Sequence, residues 1–334
     1  MFEDLVKKVS PVPLDDVVHF SRASEWITKM ELKASPRDDK PVDAYVVMPF
    51  EGMGIFYYTI PRKLEFGAHI DGRRPVLTDR LRFFKLNYCM DGRVEVFMRG
   101  KGKYAYLDKG MVGFDENDPQ VLLTFRKEYY QGFGLYFNFE LMSENDRTTL
   151  SYYGITKEAC MKLIEREKEC FLGNASQEFR LIVEDLTKGI EDRSLDLPRA
   201  RMQSTRLLYL LLHEDVEPLR KSEYTTSGQR KIAEDAKKRI LQDPSIHLTA
   251  EELAEELHCT APALKMYFRK VYGVPIYTFL QNVRLQKAEE DLRKTRKSIA
   301  DLAEEAGYSN PSKFCALFKK TYGVTPTEYR RLHT

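Results

Sequence analysis

The side chains most able to do chemistry are basic, and they gather in the last third of the chain. From residue 229 to 334 there are 19 lysines and arginines against 14 acids, a net of +5, leaving 34 against 37 for the rest. Clustered basic charge neutralises a polyanion such as nucleic acid, although a modest excess is also ordinary for a solvated surface. Within this third, Lys265, Arg269, Lys313, Lys319 and Lys320 stand beside small and apolar residues in two short segments. Other chemistries find less support. Cys89, Cys160, Cys170, Cys259 and Cys315 are scattered, with no Cys-x-x-Cys pair, so they read as reduced thiols and not as zinc ligands or a disulfide framework. For Cys259 and Cys315, redox sensing is the sharper alternative to a small tolerated side chain. Residues 41–142 contain one histidine, His69, where a metal-dependent β-barrel enzyme needs a close His pair, a carboxylate and a further His. Gly100 and Gly102 lack the third glycine and the strand-to-helix setting of a phosphate loop, and read as a turn. With no local Ser-His-Asp or paired-carboxylate arrangement, the sequence predicts no enzyme, no cofactor and no metal.

These residues need a scaffold. A length of 334 residues argues for two or three domains, and 43% apolar with 31% charged residues suits a globular chain. No apolar run approaches the roughly 18 residues that span a bilayer, and the N-terminus lacks the basic flank of a secretory signal, so a cytoplasmic protein without a membrane partner is expected. Residues 1–40, with Pro11, Pro13 and Pro36, predict an irregular arm. Residues 41–142 predict antiparallel strands, with turn pairs at Asp71-Gly72, Asp91-Gly92, Arg99-Gly100 and Lys109-Gly110. Strands Arg82 to Met90 and Arg93 to Arg99 flank Asp91-Gly92 as a tight hairpin would, with Phe84, Leu86 and Tyr88 on one face. Several such strands imply a barrel or a sandwich. Residues 143–216 turn helical: Cys160, Leu163, Ile164 and Phe171 form one stripe, and Phe179, Ile182, Val183, Leu186 and Ile190 another. These helices either pack on the strands or pair subunits. Residues 217–228, polar and with Pro218 and Gly228, read as a linker.

The last hundred residues repeat themselves. Leu253-Ala-Glu-Glu256 recurs as Leu302-Ala-Glu-Glu305, Pro262 as Pro311, Phe268-Arg-Lys as Phe318-Lys-Lys, and Tyr272-Gly-Val as Tyr322-Gly-Val. The offset grows from 49 to 50, so the second copy holds one extra residue in its middle. Each copy reads as helix, tight turn, helix. Thr249 with Glu252, and Ser298 with Asp301, have the spacing of a helix N-terminal cap, Thr260 can cap the next helix, and Gly273 can end it. Leu264, Phe268 and Val271 would face inward in one unit, and Phe314, Leu317 and Phe318 in the other. Between the units, Ile276, Phe279, Leu280, Val283 and Leu292 give one helix an apolar side.

Residues 229–330 resemble the AraC/XylS family of bacterial transcription regulators. The resemblance rests on Arg284, Leu285 and Ala288, then Ile299-Ala300, Gly307, Phe314, Phe318-Lys-Lys, Gly323, Pro326 and Tyr329-Arg330. It implies a seven-helix DNA-binding domain over residues 229–334, with helix-turn-helix units at 249–273 and 298–323, each placing its second helix in the major groove. Opposite the inward residues, helical geometry turns Ala261, Pro262, Ala263, Lys265, Met266 and Arg269 outward in the first unit, and Asn310, Ser312, Lys313, Cys315, Ala316, Lys319 and Lys320 in the second. Family members often carry Arg or Gln where Met266 and Ala316 stand, so base reading is expected to be unusually apolar. Thymine methyl groups in an A·T-rich site suit it. The resemblance further implies a cupin-like β-barrel that senses a small-molecule effector, a homodimer, promoter DNA as partner, and RNA polymerase contact for an activator. The expected fold class is therefore α+β: an N-terminal cupin-like barrel with following helices, then an all-α domain. Tyr88, Phe97, Tyr104, Tyr106, Phe125 and Tyr136 are candidate lining for a sugar or another small polar ligand, or simply rings filling a core. Two other readings stand beside this one: an effector-independent DNA binder whose N-terminal half only dimerises, and a cupin-like enzyme fused to a DNA-binding module.

Overall fold

Six successive residues of the strand Phe84–Asp91 are buried, which requires packed layers on both of its faces and decides the topology of the first half. The protein is described by a computed structural model at residues 18–32, 41–61, 64–66, 83–98, 100–116, 121–125, 129–167, 170–213, 216–220, 223–244 and 249–333. The chain divides into two units, Met1–Tyr224 and Thr225–Thr334. His69 and the Asp71-Gly72 turn lie outside the described residues.

The first unit runs through β1 (Val18–Arg22), β2 (Ile27–Leu32), β3 (Val42–Phe50), β4 (Met53–Ile60), β5 (Leu64–Phe66), β6 (Phe84–Asp91), β7 (Arg93–Met98), β8 (Lys103–Asp108), β9 (Met111–Asp115), β10 (Val121–Phe125) and β11 (Tyr130–Phe137). Then come α1 (Glu144–Ser151), α2 (Lys157–Glu167), β12 (Cys170–Ala175), α3 (Gln177–Glu191), α4 (Leu197–Leu212) and β13 (Val216–Pro218). Nine strands form one antiparallel sheet in the order β1-β2-β3-β4-β11-β6-β9-β12-β13, and β8-β7-β10-β5 belong to a second. One face of the large sheet, with Ile55, Phe84, Leu86, Phe114, Phe133 and Phe137, packs on the helices through Leu163, Phe179, Leu186 and Leu207. The other face contributes Ile60, Cys89, Cys170 and Leu172 to a second core shared with Val94, Val96, Met98 and Leu107 of the smaller sheet.

Several expectations are corrected here. Among the described residues the strand order of the large sheet has two ends, β1 and β13, and closes no barrel, so in place of the expected cupin-like barrel stand two antiparallel sheets with a core between them. Asp91-Gly92 is a corner and not a hairpin. β6 is already paired on both edges, with β11 and β9, so the chain leaves for the second sheet, where β7 pairs with β8 and β10. Gly92 makes that corner at a φ of 90°, and a β-carbon there would come within 2.7 Å of the Tyr129 carbonyl oxygen. Residues 18–32, expected in an irregular arm, form β1 and β2 and extend the sheet edge. Phe171 is not on a helical stripe: α2 ends at Glu167 and Phe171 lies in β12, paired with Phe114. The segment read as a linker begins with β13, hydrogen-bonded to β12.

The second unit holds α5 (Ser227–Gln242), α6 (Ala250–Glu256), α7 (Ala261–Tyr272), α8 (Ile276–Lys294), α9 (Ile299–Glu305), α10 (Pro311–Tyr322) and α11 (Pro326–His333). Capping sets the starts. Thr226, Thr249 and Ser298 each accept a bond from a backbone N–H three residues on, and Gln229, Glu252 and Asp301 return one, as expected for the last two pairs. Thr260 and Asn310 cap α7 and α10, and Gly273 and Gly323 end them. The extra residue of the second copy falls in the turn between helices. As a result, Pro262 sits at the second position of α7 whereas Pro311 sits at the first of α10, and the two prolines are not structural equivalents.

Both turns need a left-handed residue at the same point, Gly307 at φ 77° in one and His258 at φ 53° in the other. Glycine adopts that conformation without penalty, whereas a side chain there costs about 1–2 kcal/mol, partly offset by the unfolded-state entropy of glycine. His258→Gly is therefore expected to stabilise α6 and α7 by up to about 1 kcal/mol, and Gly307→Ala to destabilise α9 and α10 by at least about 1 kcal/mol. Native-state hydrogen exchange of those amides in the full chain checks this, and equal changes at both turns would contradict it.

Candidate nucleic-acid interface

Burial divides each second helix cleanly. Leu264, Phe268 and Val271 of α7 and Phe314 and Phe318 of α10 are buried, and Pro262, Lys265, Met266, Arg269, Ser312, Lys313, Ala316, Lys319 and Lys320 are exposed. The aromatic residues at the core side meet tilted or edge-on in chains, Phe268 with Tyr272 and Phe279, and Phe318 with Tyr322 and Tyr329, which fixes the rotation of each helix about its axis. Two residues expected on the outer face do not stand there. Ala261 and Cys315 are half-buried and pack on the two cores, because each lies at the border of its helix's apolar stripe. Ala263 is half-buried as well. Asn310 is exposed, but its side-chain oxygen accepts from the backbone N–H groups of Ser312 and Lys313, so capping occupies it.

With Thr260 matched to Asn310, Lys265 corresponds to Cys315 and Lys313 to Ala263, so the two helices carry their first lysine at different heights. Lys265 is also partly neutralised: its Nζ lies 3.1 Å from Oε1 of Glu251 on α6. The Lys265 hydrogen bond, followed by the Glu251 backbone, holds that carboxyl below its ordinary range. Sequence reading missed this pair, since the two residues are 14 apart on different helices. Burial raises the Cys259 thiol pKa, which works against a reactive thiolate.

The six aromatic residues proposed to line one cavity occupy three surfaces. Tyr88 packs on Phe179 in the helix-side core. Phe125 stacks edge-on against Tyr130 in the core between the sheets, and Tyr136 sits against Phe56 on the same side of the large sheet. Phe97, Tyr104 and Tyr106 alternate with the inward residues of β7 and β8 and face the other way. Phe97 stacks on Tyr104, while Tyr106 lies under the Arg93 guanidinium and donates to Glu95. Beside Tyr136 is a polar group that sequence reading missed: Lys85, Asn87 and Asp115 are buried, with Lys85 Nζ 3.3 Å from Asp115 Oδ2. Burial opposes the Lys85 ammonium, but the facing Asp115 carboxylate, Tyr136 and Cys170 together outweigh it and the pKa ends above the ordinary lysine value. Among the described residues no group of three His, Cys, Asp or Glu could hold a metal ion, and no helix is long and apolar enough to cross a membrane.

Residues 253–332 match the family model described as a helix-turn-helix domain, of the AraC type. The chain is 30% identical over 130 residues to an uncharacterised HTH-type transcriptional regulator of Haemophilus influenzae, covering 39% of this chain and 44% of that one. It is 35% identical over 85 residues to the bifunctional transcriptional activator/DNA repair enzyme AdaA of Bacillus subtilis, covering 25% of this chain and 40% of that one. Among solved structures, the C-terminal domain of the response regulator yesN from Fusobacterium nucleatum is 29% identical, covering 30% of this chain and 98% of that chain at a TM-score of 0.29. The chain spans less than half the length of the curated relatives it matches.

If Lys265 serves DNA, Glu251 competes with phosphate for it. Glu251→Gln is expected to tighten binding of duplex DNA by up to about fivefold at low salt, and to have no effect once Lys265→Ala is present. Fluorescence anisotropy on the four proteins checks this, and an equal gain in both backgrounds would contradict it.

Proposed function

We propose that this chain regulates transcription by holding one promoter duplex with two recognition helices, α7 and α10, under the control of its N-terminal unit. The observation that carries this reading is the doubled, capped helix-turn-helix whose second helices bury Leu264, Phe268 and Val271 or Phe314 and Phe318 on one face, with Leu317 half-buried, and expose basic charge on the other. Curated relatives named as transcriptional regulators and activators support it. Lys265, Arg269, Lys313, Lys319 and Lys320 serve the phosphates in this proposal. Pro262, Met266, Ser312 and Ala316 meet the base edges, where Met266 and Ala316 favour thymine methyl groups over guanine. The recognition helices enter successive major-groove segments about one turn apart.

The N-terminal unit is assigned effector binding and pairing, with no catalytic step. For the effector, the buried Lys85, Asn87, Asp115 and Tyr136 group is the favoured anchor in place of the dispersed aromatic set, because a desolvated charge pair discriminates a polar ligand strongly. For pairing, Leu181 on α3 and Met202 and Tyr209 on α4 are exposed apolar residues, bordered by the Glu178–Arg206 and Asp185–Arg199 ion pairs. A second copy of the chain suits that surface. RNA polymerase is the further partner if the protein activates.

The test is the salt dependence of binding to duplex DNA. Five phosphate contacts predict a fall of about 4.5 log units in the association constant for each tenfold rise in salt. A flat dependence would refute the groove-binding role of the two helices. For the effector site, a small molecule that raises the melting temperature of the chain should lose that effect in Lys85→Met, and an undiminished shift would move the site elsewhere.

A further inference from the structure

Helix α8 passes from one core to the other within about a turn. Leu280 packs with Leu253, Leu264 and Phe268, whereas Leu285, Ala288 and Leu292 pack with Leu302, Phe314 and Phe318. At the crossing stands Arg284, only 5% exposed. Its Nε donates to the Pro244 carbonyl at 2.7 Å, two residues past the end of α5. Its guanidinium also covers Gly307, the left-handed residue in the turn of the second. A β-carbon at Gly307 would come within 2.8 Å of Arg284 Cζ and 2.9 Å of Nη2. Burial raises the pKa of the neighbouring Tyr308, and the Arg284 charge opposes that rise, so the cation sits at the turn itself.

A buried guanidinium is a poor way to fill a core, since its desolvation is costly and an apolar side chain of similar length packs at least as well. Its distinguishing property is a planar fork with donors pointing in several fixed directions. Here the fork touches one turn from each half of the domain. Pro244 lies just past the end of α5, whose Ala236 and Ile240 share one core with Leu253 of α6 and Leu264 and Phe268 of α7. α10 follows the Gly307 turn, so the residue that holds both points on α8 also holds the two second helices relative to each other.

We propose that Arg284 is a positioning residue that sets the separation and relative rotation of α7 and α10, and with them the spacing of the two DNA segments the protein accepts. The inference rests on the DNA-binding role assigned to those helices. Arg284 touches no DNA; it narrows the spacings that can be bound.

The experiment uses the full chain and a duplex selected by it from random-sequence DNA, with the two contacted segments mapped by base substitution. Three kinds of probe follow: the selected duplex, duplexes with the interval shortened or lengthened by one base pair, and duplexes with one segment scrambled. The wild type should lose about tenfold or more for each change of interval, because a displaced helix forfeits its base contacts. Arg284→Met should bind the scrambled duplexes within about twofold of wild type and bind all three intervals within about threefold of one another. Arg284→Lys, which keeps the charge without the fork, should behave in the same way and decides the matter if Arg284→Met does not fold. Retention of the wild-type interval preference by the folded variant would overturn the proposal. So would a parallel loss on scrambled and intact duplexes, which marks a merely structural role. Failure to select any duplex would count instead against the DNA-binding role itself.

Discussion

One helix has to serve two cores at once, and the C-terminal domain depends on that constraint. At 19 residues, α8 extends about 28 Å. Its N-terminal half completes the core of the first helix-turn-helix and its C-terminal half the core of the second. Neither core is closed without it. A continuous helix cannot bend freely between them, because each residue in the middle is held by hydrogen bonds from both directions. The two units are therefore attached to opposite ends of a stiff element, with Arg284 tying the end of α5 and the turn of the second unit to its midpoint. Such an arrangement suits a protein that must match two points on another rigid body, and it makes little sense for a flexible tether.

The first unit is organised by a different constraint. β6 is buried on both faces and paired on both edges, so everything around it is layered: helices on one side, a second sheet on the other. The layers differ in chemistry. The helix-side core is mainly apolar and aromatic, with Phe84, Phe114 and Phe137 stacked and Phe139 edge-on against Phe84 and Phe137. The opposite face of the same strand carries Lys85 and Asn87. A charged pair in that position stabilises the fold less than apolar packing would.

Sequence patterns reached the elements whose causes are local. The repeated Leu-Ala-Glu-Glu segments, the capping pairs Thr249 with Glu252 and Ser298 with Asp301, and the inward faces of α7 and α10 depend only on residues within a few turns of one another. What was illegible depended on distant pairing. Asp91-Gly92 has the composition of a hairpin, and only the prior claim of β9 and β11 on β6 turns it into a corner. Phe171 fits a helical period until β9 is present to pair with it. The buried Lys85, Asp115 and Arg284 were invisible for a simpler reason: charged residues read as surface, and the partner that permits burial comes from another strand or turn. The aromatic rings failed in the opposite way, since their type marks burial without saying on which face of a sheet they stand.

The central claim is that α7 and α10 act together on one duplex, and hydroxyl-radical footprinting of the full chain on a selected duplex tests it most directly. The account predicts two protected windows on the same face of the DNA, about 10–10.5 base pairs apart from centre to centre. A single window, or two windows displaced by half a turn onto opposite faces, would contradict it.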